Sequence, residues 1–111
     1  VRARRRIDLD ALAERIDVDL ARSWTVADLA AACCLSPQHL RARFAESLGQ
    51  SPLAFVRERR LNRAEQLLRR GVALDTVAIE VGYGSSSALS AALRRVRNSG
   101  ARELRQKRAF L

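Results

Sequence analysis

Two stretches of the sequence decide the fold: LAAACCL at 29–35 and VAIEVGY at 77–83. The second stretch begins 48 residues after the first. Each is followed by two apolar residues four positions apart, which are Leu40 and Phe44 in the first copy and Leu89 and Leu93 in the second. In each copy this spacing predicts a short helix, a tight turn and a second helix, which is the helix-turn-helix pattern.

The turn within each copy has its own residue requirements. A small residue, Ala30 or Ala78, stands where two helices must approach closely. Four positions later Gly82 can supply the positive φ that a tight turn needs. Cys34 holds the equivalent place in the first copy and fits it less well, because it carries a Cβ. One copy alone is a weak signal, but two copies at a fixed spacing predict two helix-turn-helix units.

The rest of the chain also follows helical spacing, and no stretch alternates as a β-strand does. Residues suited to cap the start of a helix are Asp8, Thr25, Ser36, Ser51 and Ser85. Residues suited to end one are Gly49, Gly71 and Gly82. The sequence therefore predicts an all-α fold of seven helices, with two helix-turn-helix subdomains joined by a long linker helix and a last short helix at about 101–107.

The apolar stripes of these helices predict the core. The side chains expected to be buried include Leu40, Phe44, Leu48, Leu53, Leu61, Leu89, Leu93 and Val96. Trp24 precedes a capping pair, Thr25 and Asp28, and is interpreted as a structural staple rather than a base-stacking platform. Arg57 and Arg60 fall at the edge of the long helix's stripe. At least one of them is expected to pair with a carboxylate, the candidates being Glu46, Glu58 and Glu65.

The expected domain organisation is simple. Residues 1–7 are interpreted as a basic arm and 8–108 as a single DNA-binding domain, since no linker is long enough to separate two domains. Within it, the first helix-turn-helix unit is placed at 8–50, the connecting helix at 52–70 and the second unit at 72–108. The chain begins at Val1 directly with arginines. We expect this arm to be the linker from an N-terminal sensor or dimerisation domain of the same protein.

The charge is large and unevenly distributed. The chain has 21 basic and 12 acidic side chains and a net charge of +9. Basic residues concentrate at 2–6, 41–70 and 94–108, whereas 8–30 is net acidic. Such segregation favours a one-sided surface for a polyanion, either nucleic acid or an anionic membrane. The alternative is an ordinary solvated surface.

Several classes of protein are disfavoured by what the sequence contains. Adjacent Cys33 and Cys34 suit neither a typical zinc site nor a disulfide that staples a domain, so a cytoplasmic location is expected. No apolar run is long enough to cross a membrane, and no signal peptide is expected. His39 has no second ligand or nucleophile in a motif with it and is interpreted as a polar residue at a helix start. With no catalytic motif or phosphate loop, we expect neither an enzyme nor a metal or cofactor.

From Trp24 to Arg105 the sequence resembles the DNA-binding domain of the AraC/XylS family. The matching motifs are L-x-x-x-F at Leu40 and Phe44, G-x-S-P at 49–52, R-L-x-x-A-x-x-L-L at 60–68, and V-A-x-x-V-G-Y at 77–83 with S-S-S and L-x-x-x-L beyond it. The order and spacing of these motifs are highly specific. The resemblance implies two three-helix units held by the long helix, with two recognition helices in successive major-groove faces on one side of the duplex.

The sequence departs from the family pattern at several positions. Members usually carry Arg two residues before the second anchor of each recognition helix, where this chain has Ala42 and Ala91. In the second unit, where members usually have two Phe anchors, this chain has Leu89 and Leu93. Asn98 stands where members usually have a Gly after that helix, and Ala101 stands where they usually have a Pro that opens the last helix. We expect the fold to survive these changes, while the side chains that face the bases in the second unit become short.

The candidate contact residues follow from the exposed faces of the two recognition helices. Gln38 and Arg41 are predicted to contact bases, because Gln can read adenine and Arg can read guanine. Arg43 is predicted to contact phosphate; Arg41 could equally do so. On the second helix the base-contact candidates are Ser86 and Ser87, and the phosphate-contact candidates are Arg94, Arg95 and Arg97.

The function that these predictions favour is sequence-specific binding of double-stranded DNA to regulate transcription, with the second unit contributing mainly phosphate contacts. RNA polymerase is the expected protein partner. The alternative is a degenerate helix-turn-helix module whose second copy serves a protein–protein contact with the transcription machinery. Salt dependence separates the two, because DNA binding weakens steeply as the salt concentration rises.

Overall fold

A computed structural model describes residues 8–97, and within that range the chain forms six α-helices and no strand. Their bounds are α1 Leu9–Asp17, α2 Val26–Ala32, α3 Pro37–Leu48, α4 Pro52–Arg69, α5 Leu74–Val81 and α6 Ser86–Arg97. The all-α class is therefore confirmed. The count differs from the prediction, since the seventh helix expected at about 101–107 lies outside the described residues.

The starts of the helices are fixed by side chains that accept hydrogen bonds from free backbone N–H groups. Asp8 caps α1 by accepting from the backbone of Ala11 at 3.0 Å. Thr25 and Asp28 bond reciprocally to each other's backbone N–H and form a capping box on α2. The other predicted caps act in the same way at Ser36, Ser51 and Ser85. Each such cap stabilises its helix by about 1 kcal/mol, so these boundaries follow directly from the sequence.

The described residues divide into two compact units, one of 8–19 with 24–57 and one of 20–23 with 58–97. The long helix α4 contributes its first part to one unit and the rest to the other. The predicted domain boundaries, in which 52–70 is a separate connecting element, stay a prediction.

Each unit has its own set of buried side chains. In the first unit they include Ile16, Leu29, Leu40 and Phe44. The Phe44 ring also packs edge-on against Phe55, with 5.5 Å between the ring centroids. In the second unit they include Leu61, Leu68, Val77, Val81, Leu89 and Leu93. Most of the predicted core is thus confirmed.

Three residues predicted to be buried are exposed: Leu48, Leu53 and Val96. Leu48 is the last residue of α3, more than two turns beyond Leu40, and a helix of 3.6 residues per turn has rotated it out of the stripe. Leu53 lies in the first turn of α4. In α6, Ala92 takes a buried position beside Leu93, which leaves Val96 at the edge.

The two helix-turn-helix turns have the same backbone hydrogen bonds. In the first, the N–H of Leu35 donates to the carbonyl of Ala30 at 2.9 Å. In the second, the N–H of Tyr83 donates to the carbonyl of Ala78, also at 2.9 Å. This bond, which spans five residues and ends an α-helix, is the Schellman arrangement. The internal repeat seen in the sequence is therefore a repeat of backbone structure.

Candidate nucleic-acid interface

Helix α3, the second helix of the first helix-turn-helix, is held at its start and along one face. The Ser36 hydroxyl accepts a bond from the backbone N–H of His39 at 3.2 Å, and Pro37 is the first helical residue. Leu40 and Phe44 are fully buried. Because these two anchors fix the rotation of the helix, they also determine which side chains face solvent.

The solvent side of α3 carries the predicted base-contact residues of the first unit. Gln38 and Arg41 are both exposed, with Ala42 and Ala45 beside them. Arg43, the predicted phosphate contact, is half-buried. The structure therefore brings Gln38 and Arg41 to one accessible helix face and leaves less of Arg43 exposed.

Two polar residues on this face were not among the predicted contacts. His39 and Glu46 are exposed and, with Ala42 and Arg43, line a hollow of about 290 Å³. The ring Nδ1 of His39 lies 3.1 Å from the hydroxyl of Ser36, as suits a residue at the helix start. Helical spacing could have found the group, since its members stand at i, i+3, i+4 and i+7.

Helix α6 is the corresponding helix of the second unit. Ser85 caps it by accepting from the backbone N–H of Ala88 at 3.1 Å. Of the predicted base contacts, Ser87 is exposed and Ser86 is half-buried. Ala91 is exposed as well, so the middle of this face offers only a methyl group.

The last turn of α6 holds the three predicted phosphate contacts, which are not equivalent. Arg94 and Arg95 are exposed, whereas the Arg97 side chain is only 20% exposed. Its Nη2 lies 2.7 Å from Oε2 of Glu58, and its Nε bonds to Glu65. The hydrogen bond with Glu58 is the main cause that raises the pKa of Arg97 above its ordinary value. The phosphate role predicted for Arg97 stays untested, but its guanidinium is already occupied.

Arg60 of α4 binds main-chain oxygens. Its Nε donates to the carbonyl of Leu20 at 3.1 Å, and its Nη2 donates to the carbonyl of Arg22 at 2.7 Å. The carboxylate partner expected for at least one of Arg57 and Arg60 is therefore not found at Arg60, and for Arg57 it stays a prediction. The loop carbonyls left free after α1 provide acceptors that no side-chain pattern reveals.

The turn of the second helix-turn-helix is packed against this same loop. Gly82 has φ 91°, and a Cβ on it would lie 2.8 Å from the carbonyl oxygen of Leu20 and 3.1 Å from Cζ of Arg60. The position therefore requires glycine for two reasons, a left-handed backbone and the lack of space for a side chain.

The adjacent cysteines lie where α2 ends. Cys33 is half-buried and Cys34 is exposed, and both are free thiols. Burial raises the pKa of the Cys33 thiol, and the neighbouring Cys34 adds to the shift, while Arg15 acts against it. Cys33 is thus a weak nucleophile at neutral pH.

Among residues 8–97, no group of three or more His, Cys, Asp or Glu side chains could hold a metal ion. None of the helices described is long and apolar enough to span a membrane.

Comparison with known proteins places this domain. The profile of a helix-turn-helix domain family matches residues 29–107. An AraC-like transcription regulator of Streptomyces lividans is 51% identical over 79 residues, which cover 70% of this chain and 26% of that protein. Among solved structures, an AraC-type DNA-binding domain protein from Chromobacterium violaceum superposes with a TM-score of 0.84 at 27% identity and covers 91% of both chains. The DNA-binding domain of AdpA, solved in complex with a target DNA, gives 0.76 at 27% identity and covers 94% of this chain and 92% of that one.

The chain belongs to the AraC-type family of helix-turn-helix proteins. It spans about a quarter of the length of the Streptomyces relative. The relatives are transcription regulators, as expected for a chain without a catalytic motif. Family membership thus confirms the resemblance drawn from the motifs.

Proposed function

We propose that this domain binds double-stranded DNA sequence-specifically and so regulates transcription. The observation that carries the proposal is the face of α3, where Gln38 and Arg41 are exposed at the start of a helix whose rotation is fixed by Leu40 and Phe44. Side chains held in this way are suited to read base edges in the major groove. The AdpA domain, which shares the fold, was solved with a target DNA, and this supports the same class of ligand here.

The two recognition helices, α3 and α6, are proposed to enter successive major-groove faces. The connecting helix α4 has 18 residues, or about 27 Å at 1.5 Å per residue. One turn of DNA separates half-sites by about 34 Å. Helix α4 is thus long enough to help bridge two half-sites.

The two units are proposed to divide the work. In the first, Gln38 and Arg41 read bases and Arg43 contacts phosphate. In the second, Ser86 and Ser87 reach little of a base edge, while Arg94 and Arg95 contact the backbone. Phosphate contacts fix register without reading sequence. The expected binding site therefore has one well-defined half and one tolerant half about one turn away.

Selection from a random DNA library with the 111-residue chain tests this proposal. One sharply defined half-site beside a weakly defined one supports the division of work. Two equally sharp half-sites would mean that the serines read bases, and failure to enrich any sequence would refute specific binding.

A protein contact is the second candidate function. Ile79 on α5 is 71% exposed and offers an apolar side chain to a protein partner. We propose RNA polymerase as the partner of such a surface, and a sensor or dimerisation domain as the rest of the protein. Apolar docking would be nearly independent of salt, whereas DNA binding would weaken steeply as salt rises. A regulator of this kind acts in the bacterial cytoplasm, where its DNA is.

A further inference from the structure

Three polar side chains of α4 surround the guanidinium of Arg97, the last residue of α6. They are Glu58, Asn62 and Glu65, and their spacing places them along one face of α4. The arrangement joins the end of the second recognition helix to the long helix by side chains alone, within a single unit.

Every nitrogen of the guanidinium is engaged. Nη1 donates to Glu58 at 3.2 Å, Nη2 donates to Asn62 at 2.7 Å, and Nε donates to Glu65. Because the guanidinium is planar and its donors point in fixed directions, these bonds can form together in only a narrow range of positions. The network therefore restrains both the position of the last turn of α6 along α4 and its rotation.

The neighbouring arginines differ from Arg97 in their exposure to solvent. Arg94 and Arg95 lie in the same turn and are exposed. They are the residues proposed to contact phosphate. Arg94 and Arg95 belong to the last turn of α6, and the Arg97 network fixes the end of that turn. Any movement of that end moves the two exposed guanidinium groups as well.

We propose that Arg97 is a positioning residue for DNA binding: it makes no contact with DNA and holds the last turn of α6 so that Arg94 and Arg95 meet the backbone. This inference rests on the DNA-binding function proposed above. It departs from the sequence-based expectation, which treated the three arginines as equivalent. Loss of the network costs affinity, because α6 must then be ordered when it binds.

Two substitutions at Arg97 test the role. Arg97→Lys keeps the charge but can satisfy only one acceptor well, and Arg97→Leu removes both the charge and the bonds. Arg70→Lys, at the exposed residue that follows α4, is the matched control. Affinity is measured at several salt concentrations for a duplex from the library selection. Both Arg97 variants should bind about three- to thirtyfold more weakly, and the control should bind as the parent does.

The salt slope separates positioning from direct contact. A lost phosphate contact reduces the slope by about 0.9. Both Arg97 variants should keep the parent's slope, whereas Arg94→Gln should reduce it. A slope lowered by Arg97→Leu but kept by Arg97→Lys, with affinity also kept by lysine, would make Arg97 a phosphate contact and overturn the proposal. Unchanged affinity in both variants would overturn it as well.

Hydrogen exchange gives a readout that needs no DNA. Backbone amides at 94–97 should exchange several times faster in Arg97→Lys than in the parent and in Arg70→Lys. If the parent fails to bind any DNA, the proposed function is refuted, while the exchange data still decide whether Arg97 holds the helix end. Unchanged exchange in this turn would show that it does not.

The acceptors provide the last control. Glu65→Gln keeps the shape of the side chain and removes its charge. If Arg97 acts through Glu65, Glu65→Gln alone should bind more weakly than the parent, and the combined variant Glu65→Gln with Arg97→Leu should bind no more weakly than Arg97→Leu alone. Additive losses would mean that the two residues act separately, against the proposal.

Discussion

Cys34 and Gly82 occupy the same place in the two helix-turn-helix turns, and both have left-handed backbone, with φ 57° and φ 91°. Cys34 is the one non-glycine residue with positive φ among residues 8–97. An L-residue in this region costs roughly 1–2 kcal/mol because its Cβ approaches the following carbonyl oxygen. The first unit thus makes the same turn as the second at a higher conformational cost.

Replacing Cys34 with glycine should therefore stabilise the protein. We expect Cys34→Gly to raise the free energy of unfolding by about 0.5–1 kcal/mol, the relief of strain less the entropy cost of glycine. Urea unfolding followed by circular dichroism measures it. Cys33→Gly is the control and should be destabilising, because Cys33 has φ −98° and gains nothing from glycine. A Cys34→Gly variant less stable than the parent would contradict the strain argument.

Gly82 should tolerate no side chain. Gly82→Ala combines a left-handed alanine with a contact of 2.8 Å to the carbonyl oxygen of Leu20. We expect a loss of about 2–4 kcal/mol in unfolding free energy. Gly84→Ala, two residues on, has no atom within 4 Å of its added Cβ and should change stability by less than about 0.5 kcal/mol. Equal effects of the two substitutions would show that the turn does not pack as described.

The role of Arg41 in reading bases can be separated from a phosphate role. Arg41→Ala should weaken binding to the selected duplex by about 1–3 kcal/mol and relax the preference at one base pair. Binding to random DNA should change much less. The measurement is a pair of titrations at one salt concentration, with thermal unfolding to show that the exposed substitution leaves the fold intact. An equal loss on both DNAs would identify Arg41 as a phosphate contact.

Neutralising Arg94 and Arg95 together should act on all sequences alike. The double variant Arg94→Gln, Arg95→Gln should lower affinity for selected and random DNA by the same factor. It should also reduce the salt slope by up to about two units, since each phosphate contact contributes about 0.9. Loss confined to the selected sequence would instead assign base reading to this end of α6.

Cys33 should react slowly with alkylating reagents. Only the thiolate form of cysteine reacts with these reagents. Because the pKa of Cys33 is raised, a smaller fraction of Cys33 than of an ordinary cysteine is thiolate at a given pH. In a Cys34→Ser variant, the rate of iodoacetamide reaction should reach half its maximum at a more alkaline pH than for a short peptide of residues 30–36 with the same substitution. A midpoint at or below the peptide's would contradict the burial of this thiol.

The sequence was most informative where a residue type is strongly associated with one local structure, such as a helix cap or a turn. Ser36 followed by Pro37 identified the start of α3, and Gly82 identified the turn, because capping and positive φ depend on a few neighbouring atoms. The burial of Leu40 and Phe44 followed from their four-residue spacing. These local rules were sufficient to predict the six described helices and the exposed position of Gln38 and Arg41.

Contacts between distant residues were not predictable in the same way. Arg97 looked like its neighbours Arg94 and Arg95, because its acceptors lie more than thirty residues earlier, on α4. Glu58 and Glu65 were recognised as ion-pair candidates for Arg57 or Arg60, whereas the structure pairs both of them with Arg97. Exposure in the first turn of a helix, as at Leu53 of α4, also depends on which element lies opposite, which spacing alone does not give.

The main-chain acceptors of Arg60 bear on how this domain can diverge. A carbonyl group is present whatever the side chain, so a substitution at Arg22 leaves the acceptor of Arg60 in place. Position 60 should consequently show no covariation with position 22, although the two residues are hydrogen-bonded. The exposed side chains of this loop can change during evolution while Arg60 is retained. If Arg60 itself is replaced, no side-chain substitution in the loop can restore the two hydrogen bonds. A family alignment read for coupled pairs would miss this contact.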